Sequence, residues 1–113
     1  MSESTSIQLF LLAIIQEQDL EAATRALIEL KIPVTYLSSA GGFLGRRNAT
    51  LLIGLPEARE SVALETLQKI CRQRTEYMSL PLEGTTMPMP APVPVTVGGA
   101  TVFALPVERF EEV

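Results

Sequence analysis

The chain has no histidine and a single cysteine, Cys71. Without imidazole there is no histidine general base, and without further thiols there is no Cys/His metal cluster and no internal disulfide. Cys71 falls on the apolar side of a predicted helix, where a buried structural thiol is expected. Long apolar runs are also missing. The longest, Leu9 to Ile15, is strand-sized and far short of the roughly 18 residues that suggest a membrane span. The polar opening, Ser2 to Ser6, carries no basic residue, so no secretory signal is expected and a cytoplasmic protein is. Nor is there a basic surplus: the net charge is −4, which argues against general nucleic-acid binding. No nucleophile–base pair or carboxylate pair stands out, since Glu3, Glu111 and Glu112 are terminal charges. An enzyme is therefore not expected, nor is a cofactor or metal.

What is present fits one packed domain, 1–113. Of the 113 residues 47% are hydrophobic and 19% charged, enough apolar surface for a core. Ile7 to Gln16 reads as a buried strand. Asp19 is placed to cap a helix in which Leu20, Ala23, Leu27 and Leu30 recur at helical spacing until Pro33. Val34 to Ser39 and Ala49 to Leu55 read as two strands joined by a glycine-rich connection. Pro56 suits a helix start, and Val62, Leu67, Ile70 and Cys71 mark one face of a second helix ending near Arg74. Tyr77 to Leu80 reads as a short strand.

From Pro81 to Pro94 there are five of the chain's eight prolines. This stretch is expected to be an extended, mobile loop. Val95 and Val97 then precede Gly98-Gly99, and Ala100, Val102 and Ala104 follow it. Two glycines that can both take positive φ predict a terminal β-hairpin there. The fold class is thus α+β: a ferredoxin-like β-α-β-β-α-β order with a C-terminal β-hairpin and both helices on one face of the sheet. Helices enough for one face leave the other bare, and strands this apolar predict oligomerisation through it.

The charge is uneven. Between Lys31 and Gly54 stand Lys31, Arg46 and Arg47 with no acidic residue. This is either a solvated hairpin or a small anion site.

Two segments carry a resemblance. One is Thr35-Tyr36-Leu37-Ser38-Ser39-Ala40-Gly41-Gly42-Phe43-Leu44, continued by Asn48-Ala49-Thr50 and Gly54. The other is Val95-Thr96-Val97-Gly98-Gly99-Ala100-Thr101-Val102-Phe103-Ala104-Leu105-Pro106-Val107. Together they resemble the cyclic di-AMP receptor proteins of the PII-like signal-transduction superfamily. The resemblance implies a sensor of cyclic di-AMP, a homotrimer with ligand sites in the clefts between subunits, and a mobile loop that reports occupancy to a downstream protein. It implies ligand contacts at Thr35, Gly42, Phe43, Leu44, Asn48, Gly54 and Phe103. Where the family usually has an arginine, this chain has Pro33. It has Lys31 for a usual asparagine, Ala40 for a threonine and Glu112 for a glutamine. Lys31, Arg46 and Arg47 are the candidates to supply the missing phosphate-binding charge.

These residue types suit the chemistry. Glycines let backbone N–H groups approach a phosphate. Phe43 or Phe103 can stack on a purine. The Asn48 amide matches the N6/N7 edge of adenine, or else serves a turn. Two further readings stand beside the first: a PII-like sensor of another adenine nucleotide, and a trimeric protein-binding adaptor without a nucleotide. No nucleic-acid partner and no membrane insertion are expected.

Overall fold

The computed structural model describes residues 6–38, 47–80 and 91–113. The element order is β1 (Leu9–Gln16), α1 (Leu20–Glu29), β2 (Val34–Ser38), β3 (Asn48–Leu55), α2 (Glu60–Ile70), β4 (Arg74–Leu80), β5 (Ala91–Val97) and β6 (Ala100–Pro106), with a 3-10 turn before each helix. Four strands form an antiparallel sheet in the order β2-β3-β1-β6, and β4 pairs with β5 in a separate ribbon. No helix is long and apolar enough to cross a membrane among the described residues.

Successive side chains of a strand point to opposite faces. In β1, Leu9, Leu11, Ala13 and Ile15 are buried, while the residues between them are only partly so. β3 repeats the pattern with Ala49, Leu51, Ile53 and Leu55. These eight share one core with Ala23 and Leu27 of α1, and Ala63, Leu67 and Cys71 of the second helical segment. Both helices therefore cover one face of the sheet, as the ferredoxin-like reading requires. The other face carries Phe10, Leu12, Ile14, Leu37, Leu52, Phe103 and Leu105, with Leu37 58% and Phe103 52% exposed.

The strand–Gly-Gly–strand unit is present, and both glycines take positive φ, +90° and +97°. Its two strands, however, pair outward: β5 with β4 and β6 with β1. The turn is held by groups outside it. The Gly98 N–H donates to Gln16 Oε1 at 2.9 Å and the Gly99 N–H to the Cys71 carbonyl. A Cβ at Gly98 would strike the Arg72 carbonyl. β6 thus takes the free edge of β1, and the strand after α2 leaves the main sheet as half of the ribbon.

The proline-rich stretch divides. Residues 81–90 lie outside the described residues, whereas Ala91 to Pro94 belong to β5 rather than to a loop. Pro92 and Pro94 are two apart, so both can occupy ladder positions whose missing N–H would point away from β4. Among the described residues the ribbon has no third strand, and prolines are tolerated on such an edge.

Two helix ends differ from expectation in detail. Asp19 is the residue before α1, but its carboxylate makes no capping bond. It is 5% exposed and accepts from Arg74 Nη2 at 2.9 Å, because a buried carboxylate gains more from a guanidinium than from a neutral N–H. Arg74 lies beyond the second helix, which stops at Ile70. Arg74 also donates to the Arg72 carbonyl at 3.0 Å and to Glu76 at 3.3 Å, tying the root of the ribbon to the start of α1. At the other end of α1, the Lys31 N–H donates to the Ile28 carbonyl and the Ile32 N–H to that of Leu27. That is a Schellman closure, and it puts Lys31 in the left-handed region at φ +62°. An asparagine or glycine accepts that conformation at lower cost.

Four outcomes are expected. Arg74→Ala leaves the buried Asp19 charge without its partner and should destabilise the fold by about 3 kcal/mol, measured by urea unfolding. Lys31→Gly should stabilise it by up to about 1 kcal/mol, because the left-handed residue is no longer strained. Burial, with a smaller contribution from the Asp19 charge, pushes the Cys71 thiol up to about 11. A raised thiol pKa favours the protonated folded state, so stability should fall as pH rises from about 9 towards that value, and Cys71→Ala should abolish this decline. Native protein at pH 8 should also resist alkylation until urea opens the core.

Candidate functional site

One end of the sheet opens into a cleft of about 590 Å³. Its walls come from the turn after α1 (Lys31, Ile32, Pro33), the start of β2 (Val34, Thr35), the end of β3 (Leu52, Gly54, Leu55), Pro56 and Arg59 of the following turn, Ile7 before β1, and Phe110 and Glu112 of the tail. Three of the sequence-expected positions, Lys31, Thr35 and Gly54, meet here. Pro33 lies between them, at the position where the resemblance expects a cation. Glu112 is brought in by the tail, whose path begins where the Val107 N–H donates to the Gln8 carbonyl at 2.9 Å.

Gly54 has a structural reason as well as a chemical one. A Cβ built on it would meet the Ile7 side chain at 3.2 Å, so the glycine leaves room for Ile7 to lie over the open face. Thr35 sits opposite Leu52 in the β2–β3 ladder. The same row continues from Leu52 to Leu12 of β1 and from Leu12 to Phe103 of β6. Thr35 and Phe103 thus stand on one face and in one row, but on the two outer strands, roughly 14 Å apart at three strand spacings.

The remaining described candidates lie elsewhere. Asn48 pairs with Gln16 at the opposite end of β3, six residues from Gly54 and so roughly 20 Å away along the strand. Arg47 is beside it, exposed, with its carbonyl accepting from the Glu17 N–H at 2.8 Å. Within one chain, therefore, Arg47 and Asn48 do not reach the cleft that holds Lys31, Thr35 and Gly54. Gly42, Phe43, Leu44 and Arg46 lie outside the described residues.

Two cleft residues escaped the sequence reading. Phe110 is a tail aromatic with no periodic neighbours to mark it. Arg59 stands in a largely charged stretch, Glu57 to Glu60, with nothing local to single it out. Its Nη2 instead donates to the Leu30 carbonyl at the end of α1, at 2.8 Å, a partner 29 residues away that no local pattern reveals.

Among the described residues no group of three or more acidic, cysteine or histidine side chains could hold a metal. The cleft offers instead two cations, a hydroxyl, a side-chain-free strand position and an aromatic. Those are hydrogen-bonding and stacking groups, suited to holding an anionic ligand.

The comparisons with known proteins agree with this. A family model described as "Cyclic-di-AMP receptor" matches residues 8–113. Among solved structures, a functionally unknown protein from Pediococcus pentosaceus ATCC 25745 is 36% identical, with 95% of this chain and 98% of that one covered and a TM-score of 0.75. A DUF3240 family protein from Shewanella baltica OS155 is 14% identical at a TM-score of 0.59, over 96% of this chain and 98% of that one; it is similar in fold alone. With nearly its whole length matched, the chain belongs to the cyclic-di-AMP receptor family, whose members bind and signal rather than catalyse.

Proposed function

We propose that this chain is one subunit of a homotrimeric sensor that binds cyclic di-AMP in the clefts between neighbouring copies. Ligand contacts come from Thr35, Gly42, Phe43, Leu44, Asn48, Gly54 and Phe103, and the segment joining β4 to β5 reports occupancy to a downstream protein. The observation that carries this reading is the distribution of these residues on one chain. Thr35 and Phe103 are on opposite outer strands, and Asn48 is at the far end from Gly54. A single small ligand cannot collect all of them from one copy, but edges meeting between copies can bring them together. The apolar face that no helix covers is the surface along which such copies would pack. The ribbon supports the reporting role. A two-stranded sheet is marginal by itself in water, and Tyr77 on it is 72% exposed.

Titration calorimetry with cyclic di-AMP, cyclic di-GMP and ATP tests the ligand. Cyclic di-AMP should bind with one ligand per chain. Asn48→Ala should weaken it about tenfold, the loss of ~1.4 kcal/mol expected for one good edge contact to a base. Tighter binding of ATP would transfer the reading to a sensor of another adenine nucleotide. Binding of none of the three would leave the trimeric adaptor. Light scattering tests the assembly: the mass should be three times that of one chain. Leu105→Glu, a charge placed on the bare face, should give a folded monomer that has lost the ligand. A monomeric wild-type protein that still binds cyclic di-AMP would overturn the inter-subunit site.

A further inference from the structure

We propose that Arg59 is the phosphate-binding cation of the cleft, with Lys31 as its companion, and that it supplies from the turn before α2 the charge that Pro33 cannot supply from the turn after α1. The inference rests on the nucleotide-sensing reading above and adds to it the residue that meets the ligand's anionic group.

The argument starts from Arg59's hydrogen bonds. A guanidinium has five N–H donors in a planar fork and no acceptor. One nitrogen, Nη2, is engaged with the Leu30 carbonyl. The Nε is buried and has no hydrogen-bond partner among the described residues. A plain capping role accounts for the Nη2 bond and leaves the Nε donor unexplained. Buried donors are rarely left unpaired, and those that are commonly await a ligand, ion or water. Arg59 lines the cleft that also holds Thr35 and Gly54. A phosphate entering there would find a hydroxyl donor, a strand position without a side chain, and the guanidinium donors of Arg59 that the Leu30 carbonyl does not occupy.

The second cation is placed by the backbone. Lys31 is the left-handed residue of the Schellman closure, so it projects from the same helix end that Arg59 caps. Free carbonyls at a helix C-terminus favour cations there, which keeps both side chains near the cleft before any ligand arrives. Glu112 lies on the same cleft and opposes an anion, but the described lining still carries two cations against that one carboxylate. Among the described residues, Lys31 and Arg59 are the basic side chains that line this cleft. Arg46 lies outside the described residues, and Arg47 lies at the far end of β3.

The deciding experiment follows the side-chain Nε–H signal of Arg59 by ¹⁵N NMR in the wild-type protein, titrated separately with cyclic di-AMP and with inorganic pyrophosphate. The signal should shift with both. Arg59→Gln, checked by its melting curve, should bind cyclic di-AMP about tenfold more weakly and with a flatter salt dependence. Pro33→Arg added to Arg59→Gln should restore the affinity. If cyclic di-AMP leaves the signal unmoved and does not bind, while pyrophosphate still moves it, the anion site stands and the cyclic di-AMP reading falls. If cyclic di-AMP binds with Arg59 unmoved, or binds Arg59→Gln as tightly as wild type, the sensing reading stands and the role of Arg59 is overturned. No shift with either ligand also overturns it. Should Arg59→Gln fail to fold, the wild-type titration decides alone.

Discussion

The structure depends on the alternation of β1 and β3. These two central strands send every second residue into one core, with Leu11, Ala13, Leu51 and Ile53 fully buried. Two helices of about three turns are enough to cover that side, and among the described residues no further helix is available for the other. The period of two therefore settles which residues make the core, and it leaves Phe10, Leu12, Leu52 and Phe103 together on an uncovered face. Burying the apolar area that such side chains still expose is favourable, at about 25 cal/mol per Å², which is the physical basis of the proposed association. The proposed site sits at the margin of this face because strands end there and helices turn.

The two ends of the sheet are built differently. At one, Asp19, Arg74, Gln16 and the two glycines tie the root of the ribbon to β1 and α1 through short, specific hydrogen bonds. At the other, the Schellman closure and Arg59 finish α1 beside the cleft. β3 runs the whole way between them, from Asn48 to Leu55, paired with β1 throughout and with β2 from Ala49 to Ile53. A change felt at Gly54 is therefore joined to the end that carries the ribbon by a continuous strand.

The fold was legible in the sequence wherever one period dominated. β1, α1 and β3 follow their apolar spacing closely, and both glycines of Gly98-Gly99 have the positive φ expected of them. Pairing was less legible. A Gly-Gly turn says that the chain reverses, not which neighbour its strands will choose, and Gln16 and Cys71, 82 and 28 residues from their glycine partners, made that choice. Asp19 shows the same limit. Its position before a helix suggested a cap, but a guanidinium 55 residues away competed better for the buried carboxylate. For the candidate site, Thr35 and Gly54 were found through the resemblance and Lys31 through the uneven charge, and the three do meet in one cleft. Arg59 was not found, because what places it is a long-range bond to a carbonyl at the end of another element.

Pro33 shows why the charge could move. The residues after α1 must do two things within a few positions: close the helix with a left-handed residue and start an extended strand. Proline before β2 favours the second, since it fixes φ and cannot continue a helix. It costs a cation at that position. The helix end it follows creates a compensating demand, because free carbonyls there attract positive charge, and Arg59 meets that demand at Leu30. A guanidinium anchored to a carbonyl loses less rotamer entropy on binding a phosphate than an arginine swinging freely from a strand edge. The substitution at position 33 therefore need not abolish anion binding in this chain. In the proposed arrangement the phosphate is met not from position 33 but by a side chain already held in place by the helix it caps.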